Sequence, residues 1–230
     1  MIDMIDWIRL ALKPHFHLGW NLFLALVPLV LAFWLFRHTQ RRGWLWWPLL
    51  FVFILFLPNA AYTLTDIIHF IDEIRFSEPE LPEWTVAYIV IPKYVLFIFL
   101  GFQSHVISLM LFGDYLHWIG RKRWIIPMES ALNFLCSIGV FWGRYLRFNS
   151  WDIVTGPQRL ATQAIRSFVA NNFGILMIIR YFVIITALYY LVKLIDLAVW
   201  DFFRNRRIKH LFVPLPNAHP AEHAALPPLK

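Results

Sequence analysis

The chain has 230 residues, of which 60% are hydrophobic, 18% aromatic and only 15% charged, with a net charge of +7. A soluble domain is about 45–50% apolar and about 25% charged; here the excess falls in five blocks, each of a length to cross a hydrocarbon core of roughly 30 Å as about 20 helical residues. A soluble fold of this size has no room to bury five such blocks, and the basic residues sit mostly in short loops, where they set membrane orientation instead of forming a nucleic-acid surface.

The stretch from Met1 to Leu18 carries Asp3, Asp6, Arg9 and Lys13 and lacks the basic start and small-residue cleavage site of a secretory signal. It reads as an interfacial helix with Ile5, Ile8 and Leu12 along one side. Spans are expected over 19–36, 44–62, 87–116, 124–144 and 173–200. The third is long enough to raise two short passes broken near Gly101, Phe102 and Gln103. Charge placement favours one pass. Arg37, Arg41 and Arg42 follow the first span, Arg121, Lys122 and Arg123 follow the third, and Arg204, Arg206, Arg207 and Lys209 follow the fifth. Basic short loops stay in the cytoplasm, so five spans with the N-terminus outside satisfy all three and six do not. The loop 64–85 agrees, with Asp66, Asp72, Glu73, Glu78, Glu80 and Glu83 against Arg75. The last outer loop does not, since Arg144, Arg147, Arg159 and Arg166 face Asp152 alone; these arginines require an explanation. Cys136 is the single cysteine and cannot form an internal disulfide. The expected fold is all-α, a polytopic transmembrane bundle of five spans with short interfacial helices, one domain over 1–212. The Pro- and Ala-rich tail 213–230 reads as disordered.

Two segments carry most of the polar chemistry. The first runs from Leu57 to His69, at the outer end of span two. Pro58 lacks an amide hydrogen, so carbonyls one turn earlier need other partners. Asn59 supplies donors where water is scarce, Tyr62 adds a hydroxyl, and Thr65 or Asp66 suits the N-cap of a short helix. On that helix Asp66, His69 and Glu73 share one side. A carboxylate one turn before an imidazole suits a metal half-site or an acid–base pair; a helix cap followed by an exposed histidine accounts for the same residues without function. The second segment runs from Gly143 to Asp152, leaving span four at the same face. Arg144 and Arg147 stand one turn apart and can present two guanidinium forks together. Asn149 or Ser150 can cap the next stretch of chain, and Trp151 suits the headgroup region. Interfacial anchoring by snorkelling arginines explains Arg147 and Trp151 well, but Asn149 and Asp152 less so.

Within span four, Ser130, Asn133, Ser137 and Arg144 recur at helical spacing, a polar stripe expected to face other helices. Lys93, Glu129, Arg180 and Lys193 lie in or near spans, where charges are expensive. Lys93 and Glu129 are close enough to span ends to snorkel, and Lys193 and Asp196 are spaced to pair; Arg180 is two turns deep if span five begins at Phe173 and at the rim if it begins at Tyr181. Loop charges alone thus place Asn21, 59–69, Lys93, 144–152 and Arg180 at one membrane face. Unpaired they would be costly near hydrocarbon, so a mutual polar network is expected there.

On the stretches LPNAAYTLTDIIHF and GRYLRFNSWD, with WNLFLALVP in span one, the chain resembles the bacterial membrane family known as domain of unknown function 1361, over residues 19–200. In that family a proline commonly stands where Ala61 is and a tryptophan where Phe148 is, and the first departure suggests a less rigid turn. The resemblance implies a multi-pass protein of the bacterial cytoplasmic membrane and names no activity or cofactor. Three readings stand beside one another. In the first, Asn59, Tyr62, Thr65, Asp66, His69, Arg144, Arg147, Asn149, Trp151, Asp152 and Arg180 bind a lipid headgroup, a small anion or a partner subunit, which includes a second copy of the chain. In the second, Asp66, His69 and Asp152 serve as metal ligands or acid–base groups of a membrane-embedded enzyme acting on a lipid-linked or periplasmic substrate, with His15 and His17 as extra ligands on the same side. The third is transport, for which no helix interrupted by glycine and proline at mid-depth is present. No metal site is assigned, and a nucleic-acid partner is not expected.

Overall fold

The computed structural model describes residues 4, 16–38, 42–76, 81–146, 155, 156, 158, 162 and 172–211. No strand occurs among them. Helix α1 covers Phe16–Ala32 and ends in a wide π turn, Phe33–His38. Helix α2 covers Trp46–Tyr62, continues through a 3-10 turn at Thr63–Asp66, and runs on as α3, Ile67–Arg75. Helix α4, Ile91–Trp118, is entered through Glu83–Thr85 and a π turn at Val86–Val90; α5 is Ile125–Phe141, extended by the π turn Trp142–Leu146; α6 is Asn172–Leu211. The interfacial helix expected before residue 16 and the tail 213–230 lie outside the described residues.

Five helical stretches are long and apolar enough to cross a membrane: Leu18–Arg37, Trp46–Arg75, Glu83–Trp118, Lys122–Leu146 and Phe173–Arg204. The chain is an integral membrane protein of the all-α, multi-span class. The third stretch is one continuous helix, as the loop charges require, because Gly101 serves close packing and not a break. It stops at Gly120, whose φ of +75° suits glycine. Span two is longer than expected. Neither Thr65 nor Asp66 makes a side-chain cap at the start of α3; Thr63 Oγ1 donates to the Ala60 carbonyl and Thr65 Oγ1 to the Tyr62 carbonyl, each at 2.8 Å. These bonds back to the preceding turn carry the helix through the tight Thr63–Asp66 segment.

The chain divides into two compact units, Met1–Lys193 and Leu194–Lys230. In the first, α1 packs on α2 and α4, and α2 packs on α4 and α5. Phe53, Leu57, Val106, Leu109, Cys136, Val140, Ile185 and Tyr189 form the core. Two glycines set how closely helices approach. A Cβ on Gly139 would lie 2.6 Å from Pro58 Cβ, and one on Gly101 would lie 2.6 Å from Thr63 Oγ1. Phe23, Val30, Phe51, Val95, Phe99, Ile179 and Val183 stay exposed, as lipid-facing positions should, because lipid tails solvate them as well as a core does. The second unit's described part is the helical stretch from Leu194, with Leu194, Trp200, Phe202 and Phe203 exposed.

The two ends of the first unit are tied differently. At one, Arg42 Nε donates to the Tyr115 hydroxyl at 2.6 Å and the guanidinium stacks over the Trp46 and Tyr115 rings. The Trp46 indole donates to the Leu35 carbonyl at 3.2 Å, which the π turn takes out of the ordinary helical ladder. The loop after span one therefore meets the end of span three, so the first two basic loops share an end. Asn21, Asp66, Glu73 and Lys93 meet at the other.

Candidate functional site

At the end opposite the basic loops, Asp66 is fully buried. The 3-10 turn carries it inward from the end of α2, and Asn21 Nδ2 of α1 donates to its Oδ2 at 3.1 Å. The other oxygen, Oδ1, has no hydrogen-bond partner among the described residues. His69 Nε2, one turn along and 39% exposed at its side chain, lies 4.0 Å from that oxygen. Arg144, from the far end of α5, also acts electrostatically on the Asp66 carboxylate. The two polar segments, separated in sequence by spans three and four, thus lie within electrostatic reach of each other.

Beside Asp66, Lys93 Nζ of α4 pairs with both Glu73 oxygens, at 2.7 and 3.0 Å, and lies 5.1 Å from the Tyr94 ring centroid. Tyr94 packs edge-on against Phe70. Lys93 therefore closes an ion pair between α3 and α4 instead of snorkelling. Glu73, expected on one side with Asp66 and His69, is committed to that lysine. On the α5 and α6 side, the Arg144 and Arg180 guanidinium groups both act on the Tyr181 hydroxyl, with Tyr145 next to it. Tyr145 anchors this corner through an edge contact to Phe173 at 5.6 Å and a 3.7 Å approach of its hydroxyl to Met177 Sδ. Arg180 lies two turns into α6, with its side chain exposed.

The remaining expected residues divide. Tyr62 is half-buried against the core, and Thr65 is buried. Asn59 Nδ2 donates to the Phe56 carbonyl at 3.0 Å, turning back along its own helix. Arg147, Asn149, Trp151 and Asp152 lie outside the described residues, as does His15. Among the described residues no group of three or more His, Cys, Asp or Glu could hold a metal ion.

A deeper polar layer was not anticipated as a unit. His105 of α4 is fully buried and its Nε2 lies 2.9 Å from Asn133 Oδ1 of α5. Ser104 Oγ donates to the Ala25 carbonyl at 2.6 Å, and Ser108 Oγ to the Ser104 carbonyl at 2.7 Å. Asn133 and Ser137 are buried, so the polar stripe of span four does face other helices. Glu129, expected to snorkel, is fully buried, and Lys193, expected beside Asp196, forms its ion pair with Glu129 at 2.5 Å. The Glu129 carboxylate lies beside Gly113 on α4, and the lysine pairs with it because a buried carboxylate left without an opposite charge is strongly destabilising. The spacing of Ser104, His105 and Ser108 on one helix was the available signal.

A family model described as "Protein of unknown function (DUF1361)" matches residues 20–187. No curated protein and no solved structure matches the chain. The matched stretch holds both polar segments and the deeper layer except Tyr189 and Lys193.

Proposed function

The chain belongs to the family of unknown function DUF1361, and from that premise we propose that this integral membrane protein binds a phosphate group through Arg144 and Arg180, with Tyr181 and Asp66 at the edge of the site. The observation that supports the reading is that two guanidinium groups from different helices, Arg144 and Arg180, both act electrostatically on the Tyr181 hydroxyl. Planar guanidinium forks match phosphate oxygens and form charge-assisted hydrogen bonds. Asp66 offers a second handle. Its unbonded oxygen is available to a hydroxyl or ammonium on the same ligand, with Asn21 holding the carboxylate in place. A phosphate next to a donor group is the chemistry of a phospholipid headgroup; inorganic phosphate supplies the first half alone. Arg147, Asn149, Trp151 and Asp152 are further ligand contacts in this proposal, and Trp151 suits the headgroup layer. The orientation it rests on, with this corner outside, the C-terminus cytoplasmic and the chain in a bacterial inner membrane, comes from the basic loops and the family resemblance.

Native mass spectrometry of the detergent-solubilised protein, after incubation with phosphatidic acid or with diacylglycerol, tests this directly. Retention of phosphatidic acid but not diacylglycerol, lost in an Arg144→Gln, Arg180→Gln double variant, supports a lipid phosphate. Calorimetric binding of inorganic phosphate without lipid retention supports a free anion. Neither binding overturns the reading.

The approach of His69 to the free Asp66 oxygen at 4.0 Å favours one second reading, an acid–base pair acting on a phosphate-bearing lipid. Headgroup release detected from phosphatidic acid, abolished in Asp66→Asn while lipid retention persists, distinguishes it from binding alone.

A further inference from the structure

We propose that the interior of the first unit contains a second polar site, a hydrated chamber between α4, α5 and the first half of α6. Its walls are His105, Asn133, Glu129, Tyr189 and Lys193, and its ligand is water. Three atoms carry the argument: His105 Nδ1, Asn133 Nδ2 and Glu129 Oε2 have no hydrogen-bond partner among the described residues, although all three side chains are fully buried. Buried polar groups in native proteins are almost always paired, with protein or with ordered water. Three unpaired on one face would oppose folding in a medium as apolar as this core.

Their side chains are neighbours in the bundle. Asn133 and Glu129 are one turn apart on α5 and so share a side. The Tyr189 ring meets the His105 ring edge-on at 6.0 Å, and the same Tyr189 ring lies 5.4 Å from Lys193 Nζ, which pairs with Glu129. Tyr189 thus bridges the His105–Asn133 bond on one side and the Glu129–Lys193 ion pair on the other. The Tyr189 and Tyr190 hydroxyls are also buried without a hydrogen-bond partner among the described residues. When His105 Nε2 donates to Asn133 Oδ1, His105 Nδ1 is left as an acceptor. With Asn133 Nδ2 as donor and Glu129 Oε2 as acceptor, the set is complementary to water, which both donates and accepts and is held where two to four polar partners converge. An apolar ligand satisfies none of these atoms. The site is separate from the Arg144 corner, so its failure and the failure of phosphate binding are distinguishable.

Hydroxyl-radical footprinting by brief X-ray irradiation, with the whole protein in lipid nanodiscs, reads bound water directly, because radicals form from it in place. His105 and Tyr189 are expected to be oxidised despite complete burial, while the equally buried Phe53 stays unmodified. A His105→Phe, Asn133→Leu double variant is expected to lose the Tyr189 labelling by severalfold. Wild-type labelling of Tyr189 no greater than that of Phe53 overturns the proposal, and so does undiminished Tyr189 labelling in a folded double variant. If that variant does not fold, the wild-type comparison decides alone.

Discussion

Replacing Lys193 by methionine isolates the energetics of the buried ion pair. The change keeps the length of the side chain but removes the cation 2.5 Å from Glu129 Oε1, leaving a carboxylate with no exposed surface. Removing one partner of a buried pair costs about 3–5 kcal/mol, since the remaining charge keeps its desolvation penalty without compensation. The reverse change, Glu129→Leu, leaves a lysine that is 20% exposed and so partly hydrated; its cost is smaller. The double variant Glu129→Leu, Lys193→Met removes both charges and is expected within about 1–2 kcal/mol of wild type or above it, because apolar replacement of a buried pair is often neutral or stabilising. Reversible unfolding in mixed detergent micelles, followed by tryptophan fluorescence, supplies the double-mutant cycle. A Lys193→Met variant as stable as wild type, or a double variant whose loss equals the sum of the two singles, would refute the reasoning.

Helix spacing gives a second prediction: Gly139→Ala forces a Cβ to within 2.6 Å of Pro58, and overpacking of this kind costs about 1–3 kcal/mol, read as a lower unfolding midpoint; an unchanged midpoint would show that α2 and α5 do not approach so closely. Asn21→Leu removes the donor to buried Asp66 and is expected to destabilise by about 1–3 kcal/mol, whereas the same change in an Asp66→Leu background costs less; equal losses in both backgrounds would break the pairing. Arg144→Gln is expected to weaken phosphatidic acid binding by about tenfold or more, at about 1.5–3 kcal/mol per charge-assisted bond, with the unfolding midpoint little changed; equal affinity in titrations removes Arg144 from the site.

Span number and order were legible because they depend on runs of apolar residues and on arginine and lysine in loops, both of which are one-dimensional signals. The meeting of Asn21 and Asp66 at one end followed from the same loop arithmetic. Partner choice did not. Glu129 and Lys193 stand 64 residues apart, and nothing in the sequence states that α5 and α6 bring them together; the local spacing of Lys193 and Asp196 pointed elsewhere. Lys93 is near a span end and looked free to snorkel, but the continuation of span two into α3 places Glu73 beside it. Asp66 read as a cap because it precedes a short amphipathic helix. The hydroxyls of Thr63 and Thr65 bond back to the preceding turn instead, and the carboxylate turns into the bundle. His105 stands with Ser104 and Ser108 on one helix, but its partner Asn133 is on another, and spacing along one helix does not give that pairing.

The central claim is that the two polar segments leave the bundle at one end, away from the basic loops. In a Cys136→Ser background, spin labels at two exposed positions, Ile68→Cys beside the cluster and Tyr145→Cys at its edge, should report a short separation by pulsed electron resonance. Labels at Ile68→Cys and Arg121→Cys should report a separation near the hydrocarbon thickness of about 30 Å. A reversal, with position 68 closer to 121 than to 145, would contradict the account.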